Sequence, residues 1–174
     1  NHPQPVVWNG AAPTDMIFPN GAYARNFEQL RNFGGGPAND SITQLGRIDN
    51  FIFTRDGDDV IAPGLGFDTV NGGPGDDLLV LDFSAGDLPA YTGVTGGGNG
   101  NPFRRDHPGG SPLIIDLIVF SDLERLHLTG TPRADTIHDF AGGDIILGGA
   151  GNDVILSLVG GNNHFDGGDG DDTL

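Results

Sequence analysis

The chain has 174 residues, of which 31 are glycine and none is cysteine, and it carries a formal net charge of −16 at pH 7. Without cysteine there is neither a disulfide framework nor a cysteine-based zinc site. So large a negative charge argues against nucleic acid and anionic membrane surfaces as partners. No apolar run reaches the length of a membrane-spanning helix, and the length suits one domain with an ordered core.

The acidic residues are unusual in kind as well as in number. All but two of the 24 acidic residues, Glu28 and Glu124, are aspartate, and all eight basic residues are arginine. General solvation would use both acids, whereas tight turns and cation sites favour the shorter one. The composition therefore points to aspartate-rich turns and to a cation that offsets the repulsion among them.

Residues 1–34 carry the weakest pattern. Val6–Trp8 has the composition of a short strand, and Gly10–Ile17 has the offsets of a degraded repeat. Asn26–Phe33 fits either a short capping helix or an irregular strand. We interpret 1–34 as an N-terminal cap or a degenerate first coil, and the start at Asn1 indicates a processed or excised product.

A nine-residue period dominates residues 35–81. Asp59, Asp68 and Asp77 lie nine residues apart, and each is followed two positions later by an aliphatic residue. This period is too long for one strand and too short for a helical repeat. It fits about six residues of turn followed by about three of strand, so we interpret 35–81 as a first repeat block.

Residues 82–112 interrupt the period with a stretch rich in glycine, proline and asparagine. Such a composition predicts a flexible or extended surface loop inserted between two repeat blocks. We interpret Arg104 and Arg105, which lie inside it, as solvated loop charges rather than as a recognition patch.

Residues 113–174 resume the pattern. Leu113–Phe120 and Leu123–Leu128 are predicted to be buried lead-in strands. The nine-residue period then returns in a second repeat block, with a one-residue slip before its last copies. The residues at the aspartate position of this block are Asp135, Asp144, Asp153, Asn163 and Asp172.

The best-formed copies, at 72–79, 148–155 and 167–174, read Gly-Gly-x-Gly-x-Asp-x-aliphatic or close to it. Residues 35–80 and 115–174 thereby resemble the RTX, or haemolysin-type, calcium-binding repeat proteins. The resemblance implies an all-β fold, a right-handed parallel β-roll or β-solenoid that here carries the Gly/Pro-rich insertion. It further implies an extracellular location, export by type I secretion, and folding that depends on several Ca²⁺ ions.

Ca²⁺ takes six to eight hard oxygen ligands, and the resemblance assigns them residue by residue. The repeat aspartates are expected to supply carboxylates, and main-chain carbonyls around the preceding glycines are expected to supply the rest; the alternative is that the aspartates only cap turns. Asn50, Asn163 and Arg133 depart from the motif and weaken their turns. The predicted metal residues are Asp40, Gly57, Asp59, Gly66, Asp68, Gly75, Asp77, Asp135, Gly142, Asp144, Gly151, Asp153, Gly170 and Asp172.

The period also predicts how the repeats stack. Two nonapeptides make one full coil, so residues eighteen apart should lie about 4.8 Å apart on the same edge. Asp59 and Asp77 should then share an edge, with Asp68 on the other. The aliphatic and aromatic positions expected to point inward are Ile61, Val70, Leu79, Ile137, Ile146, Ile155, Phe165 and Leu174.

No metalloprotease, nucleophile-elbow or phosphate-loop motif occurs in the sequence, so we expect neither an enzyme nor a small-molecule substrate. Two functions remain open. One is an extracellular structural protein of a surface layer, filament or matrix, assembling head to tail through the half-site in Gly167–Asp172. The other is the C-terminal secretion and folding module of a larger type I-secreted enzyme, adhesin or toxin. Neither involves nucleic acid or membrane insertion.

Overall fold

The computed structural model describes residues 7–8, 14–17, 23–27, 32–44, 46–84, 95–97, 101–106, 114–157 and 160–174. Within these residues the chain is all-β, and no helix occurs in them. The strands are β1 (Val7–Trp8), β2 (Thr14–Ile17), β3 (Tyr23–Phe27), β4 (Asn32–Gly34), β5 (Ser41–Thr43), β6 (Phe51–Phe53), β7 (Val60–Ala62), β8 (Phe67–Asn71), β9 (Leu78–Asp82), β10 (Thr95–Gly97), β11 (Phe103–Asp106), β12 (Ile114–Ser121), β13 (Arg125–Thr129), β14 (Thr136–His138), β15 (Ile145–Ala150), β16 (Val154–Leu156) and β17 (His164–Asp169).

The strands form two large sheets and one small one. The first sheet has the order β1-β5-β7-β9-β13-β15-β17, and the second has the order β16-β14-β10-β11-β12-β8-β6-β4. From β4 to β9 consecutive strands alternate between the two sheets and pair in parallel with the next strand but one. Strands β2 and β3 form a separate antiparallel pair. Strands β1 and β4, which lie in the stretch 1–34, extend the first and second sheets respectively.

A thin hydrophobic core lies between the two large sheets. Most repeat strands are short, and their central residue points inward because side chains alternate along a strand. Six of the predicted core residues are 0–3% exposed, which confirms them: Ile61, Val70, Leu79, Ile137, Ile146 and Ile155. Phe165 is partly buried against this core.

The expectation for Leu174 is wrong, because its side chain is 78% exposed. Its neighbour Thr173 bridges only to Val154 of β16, and β16 is the edge strand of the second sheet. A side chain at such an edge is covered from one side only.

The insertion makes the second sheet mixed rather than wholly parallel. Strand β11 pairs antiparallel with both β10 and β12, so three strands lie between β8 and β14 in this sheet. In the first sheet β9 pairs with β13, and only β13 lies between β9 and β15. The expected all-parallel arrangement therefore holds in the repeats and fails at the insertion, where the chain folds back on itself.

The interpretation of Arg104 and Arg105 as solvated loop charges is wrong for Arg105. Its side chain is 1% exposed and forms an ion pair with Asp116, whereas the side chain of Arg104 is 46% exposed and pairs with Asp106. Strand β11 explains the difference, because alternation sends Phe103 and Arg105 inward and Arg104 outward. Phe103 packs on Phe120, with ring centroids 5.5 Å apart. The rest of the predicted loop lies largely outside the described residues.

Candidate metal centre

The aspartate that closes each nonapeptide turn is buried in most copies. Its side chain lies at the start of a repeat strand, in the interior. The copies that are at most 2% exposed are Asp40, Asp59, Asp68, Asp77, Asp135, Asp144 and Asp153. Asp172, in the final turn, is exposed. Burying carboxylates at this density is costly unless each one has partners.

One oxygen of these carboxylates takes part in a regular ladder. The main-chain N–H of Asp59 donates to Asp77 Oδ1 at 2.8 Å, and that of Asp135 donates to Asp153 Oδ1 at 2.8 Å. The same bond joins Asp40 N to Asp59 Oδ1 (2.6 Å), Asn50 N to Asp68 Oδ1 (2.9 Å) and Asp153 N to Asp172 Oδ1 (2.9 Å). Residues eighteen or nineteen apart therefore stack, as the period predicts.

The ladders follow two edges of the molecule. Turns that lead into the first sheet form one edge, which contains Asp59 and Asp77, and turns that lead into the second sheet form the other, which contains Asp68 and Asp153. This confirms that Asp59 and Asp77 share an edge while Asp68 lies on the other.

The second carboxylate oxygen divides the aspartates into two groups. Oδ2 of Asp59, Asp68, Asp77 and Asp153 is buried and has no hydrogen-bond partner. A buried polar atom left without a partner costs about 1–3 kcal/mol, and more when it is charged. A cation bound beside these four oxygens would compensate for the missing hydrogen bonds.

In the other group Oδ2 accepts a hydrogen bond from a main-chain N–H within its own turn. Gly36 N donates to Asp40 Oδ2 at 3.1 Å, and Phe140 N donates to Asp144 Oδ2 at 2.8 Å. Thr131 bonds Asp135 twice, from N to Oδ2 at 2.7 Å and from Oγ1 to Oδ1 at 2.8 Å. Asp40, Asp135 and Asp144 are therefore turn caps, which the sequence alone did not separate from the other predicted ligands.

The backbone at the second position of the turn, four residues before the aspartate, accounts for this division. In the turns with an unpartnered Oδ2 this residue has a positive φ, 76° at Arg55, 84° at Gly64, 97° at Gly73 and 107° at Gly149. Gly36, Thr131 and Phe140 have no positive φ, and each keeps its N–H on the carboxylate. Only glycine adopts the left-handed region without steric cost, which fits the non-glycine residues Thr131 and Phe140. Arg55 and Gly36 show that residue type alone does not decide the backbone conformation at this position. Arg133, which the sequence predicted to weaken the turn of Asp135, has an exposed side chain.

The fourth-position glycines bring consecutive coils close together. Gly57, Gly66, Gly151 and Gly170 have φ between 124° and 143°. Gly75 and Gly142 do not, yet a Cβ on Gly75 would lie 1.8 Å from Gly57 O, and one on Gly142 would lie 2.7 Å from Glu124 O. The carbonyl of one turn thus lies against the Cα of the next, so main-chain oxygens line each edge beside the carboxylates.

Burial perturbs the titration of these groups. It raises the pKa of Asp68 to about 6, with a contribution from the neighbouring carboxylates of Asp49 and Asp116. It also raises the pKa of Asp77 to about 6, where Asp59 and Glu124 add repulsion. Burial likewise raises the pKa of Asp59, Asp144 and Asp153. The folded chain therefore favours binding a proton or a cation at these positions.

Calcium fits this donor set. The donors are hard oxygens, the partnerless ones are buried, and the coils leave no room for a Cβ between them. Within the described residues no group of three or more acidic or histidine side chains suited to a metal occurs, so main-chain carbonyls must complete the shell. Asp59, Asp68, Asp77 and Asp153 would hold the ions, and the ions would supply the positive charge that the turns lack.

Comparison with known families matches the RTX calcium-binding nonapeptide repeat to four segments, residues 48–70, 53–83, 127–155 and 159–174. The chain carries RTX calcium-binding repeats. This confirms the resemblance recognised in the sequence. All four aspartates with a partnerless oxygen lie in RTX segments, as do Asp135 and Asp144, whereas Asp40 lies before the first of them. A search of curated proteins found no match.

Two residues outside the RTX segments were missed as site residues by the sequence reasoning. Glu124 Oε2 accepts a hydrogen bond from Asp77 N at 2.9 Å, and Asp116 Oδ1 accepts one from Gly66 N at 3.0 Å. Each reaches a repeat turn from a strand that the sequence described only as a lead-in.

In the part of the chain that the structure describes, no helix is long and apolar enough to cross a membrane.

Proposed function

We propose that the chain is a non-enzymatic, extracellular calcium-binding protein whose repeats form a right-handed parallel β-roll that folds when calcium binds. The observation that carries the proposal is the set of four buried carboxylate oxygens without a hydrogen-bond partner, on Asp59, Asp68, Asp77 and Asp153. Each lies on an edge lined by main-chain carbonyls, and Ca²⁺ takes such oxygens at about 2.3–2.6 Å.

The energetics make calcium a condition of folding rather than an addition to a stable fold. The sites do not exist in the unfolded chain, so the binding free energy is also folding free energy. Without metal a chain of net charge −16 must stack buried carboxylates such as those of Asp59 and Asp77 on one another. Each ion adds two positive charges where the repulsion is concentrated.

The test compares the protein in chelator, in millimolar Ca²⁺ and in millimolar Mg²⁺, with circular dichroism for strand content and equilibrium dialysis for bound metal. We expect a strand-rich spectrum and several bound ions only in Ca²⁺. Mg²⁺ should not substitute, because it demands octahedral geometry and keeps its water. The same spectrum in chelator and in calcium, together with no bound calcium, would overturn the proposal.

We further propose that the protein assembles head to tail as a structural element. Strands β1 and β17 end the first sheet, and β4 and β16 end the second, each with one neighbour among the described strands. Open strand edges are ready sites for pairing with another chain. Asp172, in the turn that follows β17, is exposed. A contact between opposite ends is heterologous, so it propagates unless it closes a ring.

The alternative is a folding and secretion module of a larger type I-secreted protein, which would use the same calcium sites. Light scattering separates the two functions. A structural element should form large particles in calcium at about 0.1 mM protein, and Asp172→Asn should reduce their size more than it lowers strand content. A module should remain monomeric under the same conditions.

A further inference from the structure

The ladder on the first edge continues across the insertion although no nonapeptide follows Asp77 there. The chain leaves the first sheet at the end of β9 and returns to it in β13, and these two strands pair directly, with Leu79 opposite Leu126. The residue immediately before β13 is Glu124. The short turn at Glu124 therefore stacks on the turn of Asp77, in the place where a repeat turn would lie.

Glu124 makes the bond that a repeat aspartate makes elsewhere. Asp77 N donates to Glu124 Oε2 at 2.9 Å, just as Asp59 N donates to Asp77 Oδ1 at 2.8 Å one coil earlier. Glu124 thus continues the column of carboxylates, from a position outside every RTX segment.

The carbonyl of Asp122 takes the place of a repeat carbonyl. At the repeat glycine Gly148, a Cβ would lie 2.4 Å from Asp153 Oδ2 and 2.4 Å from the carbonyl oxygen of Gly167, the first residue of the next turn. At Gly72, a Cβ would lie 2.5 Å from Asp77 Oδ2 and 2.2 Å from Asp122 O. The two environments agree in their two nearest atoms, a carboxylate Oδ2 and a main-chain carbonyl oxygen, with Asp122 O in the role of the Gly167 carbonyl.

The choice of glutamate follows from this replacement. In the final repeat turn Gly167 and Asp172 are five positions apart in the chain, whereas Asp122 and Glu124 are two apart. Because the turn is shorter, its main chain lies farther from Asp77 N than that of a repeat aspartate would. The longer side chain of glutamate spans the remaining distance. Asp122 itself has a φ of 51°, in the left-handed region that few non-glycine residues adopt.

One atom in this arrangement still lacks a partner. Asp77 is 0% exposed, and its Oδ2 is buried without a hydrogen bond, beside the carbonyl of Asp122. We propose that Asp77, Glu124 and the Asp122 carbonyl form a junction calcium site that ties the first repeat block to the second across the insertion. The inference rests on the proposed function, and it adds a ligand residue that the nonapeptide motif does not contain.

The test compares Glu124→Gln with Asp122→Asn. Glutamine keeps an acceptor for Asp77 N–H but loses the charge, so we expect one fewer bound ion at limiting calcium and an affinity at least about tenfold lower at that site. Asparagine tolerates a positive φ and keeps the main-chain carbonyl of position 122, so Asp122→Asn should bind the wild-type number of ions. Both variants remove one negative charge, two positions apart.

Bound calcium is counted by equilibrium dialysis, and circular dichroism at saturating calcium checks the fold. If Glu124→Gln does not regain the wild-type spectrum, Glu124→Asp replaces it, because aspartate keeps the charge but loses the reach and should lose the same ion. Asp153→Asn, which changes a repeat site, reports on the proposed function separately. If the wild-type protein binds no calcium, the proposed function is refuted. If Asp153→Asn loses an ion but the Glu124 variant binds the wild-type number, only the junction site is overturned.

Discussion

Arg105 and Asp116 form an ion pair in the interior of the protein. Nη2 and Nε of Arg105 lie 2.6 Å and 2.9 Å from Asp116 Oδ2, and the two side chains are 1% and 0% exposed. Arg47 also contacts Asp116 Oδ1, and Arg105 lies over the ring of Phe83, 5.6 Å from its centroid. At this point, next to the turn of Asp68, the chain neutralises a buried carboxylate with its own cations rather than with a metal.

Replacing Arg105 with methionine should therefore destabilise the protein whether or not calcium is saturating. Removing one partner of a buried ion pair leaves an uncompensated charge and costs about 3–5 kcal/mol. Arg104→Met is the matched control, since its side chain is 46% exposed and surface changes stay within about 0.5 kcal/mol. Urea unfolding in excess calcium measures both, and equal midpoints for the two variants would contradict the structural role of Arg105.

Asp77→Asn should lower calcium affinity much more than Asp135→Asn. Asp77 Oδ2 has no hydrogen-bond partner, whereas both carboxylate oxygens of Asp135 accept bonds from Thr131. We expect Asp77→Asn to lose at least one ion at limiting calcium, with a weakening on the order of 100-fold. Asp135→Asn should keep the wild-type number of ions and lose only fold stability. Calorimetric titration with calcium distinguishes these outcomes, and equal calcium counts would contradict the division into ligands and caps.

Gly151→Ala should be far more damaging than Gly143→Ala. Gly151 has a φ of 124°, and a Cβ there would lie 2.4 Å from the carbonyl carbon of Arg133, whereas at Gly143 the nearest atom would be Asn162 O at 3.4 Å. The left-handed region alone costs an L residue roughly 1–2 kcal/mol, and the clash adds to this. The calcium concentration at the folding midpoint should rise for Gly151→Ala and stay near wild type for Gly143→Ala. Similar midpoints would argue against close stacking of the coils.

In chelator, where little folded chain is expected at pH 7.5, the folding equilibrium should shift toward the folded form at pH 4.5. Burial raises the pKa of Asp68 and Asp77 from 3.8 to about 6, so the folded chain binds more protons than the unfolded chain between these values. Their contribution to stability is present below about pH 4 and is lost as pH rises through about 6. In saturating calcium the order should reverse, because protons compete with the metal for the same oxygens.

Circular dichroism at the two pH values, with and without calcium, measures this reversal. The double variant Asp68→Asn/Asp77→Asn is the control, and its stability in chelator should depend less on pH. A wild-type protein whose metal-free stability increases between pH 4.5 and pH 7.5 would contradict the assignment.

Much of the fold and part of the site followed from the sequence, because the repeat is local. A period of nine places each aspartate before a short strand and each aliphatic residue inside it, whatever the rest of the chain does. That is why the burial of Ile61 and Ile146 and the stacking of Asp59 on Asp77 were predicted correctly. The difference between aspartates with and without a partnerless Oδ2 follows the backbone φ four positions earlier, which the residue type indicates at Thr131 and Phe140 but not at Arg55 or Gly36.

The parts that depend on distant contacts were decided only by the tertiary structure. The bond from Asp77 to Glu124 spans 47 positions, and the contact from Arg47 to Asp116 spans 69. Neither separation belongs to the nine-residue period, so no repeat pattern predicts them. The direct pairing of β9 with β13 places Glu124 next to Asp77 in the adjacent coil, and the antiparallel strand β11 places Arg105 in the core. Sequence determined the repeat because its physics is confined to one coil, whereas the junction was set by the pairing of strands on either side of an insertion that carries no period.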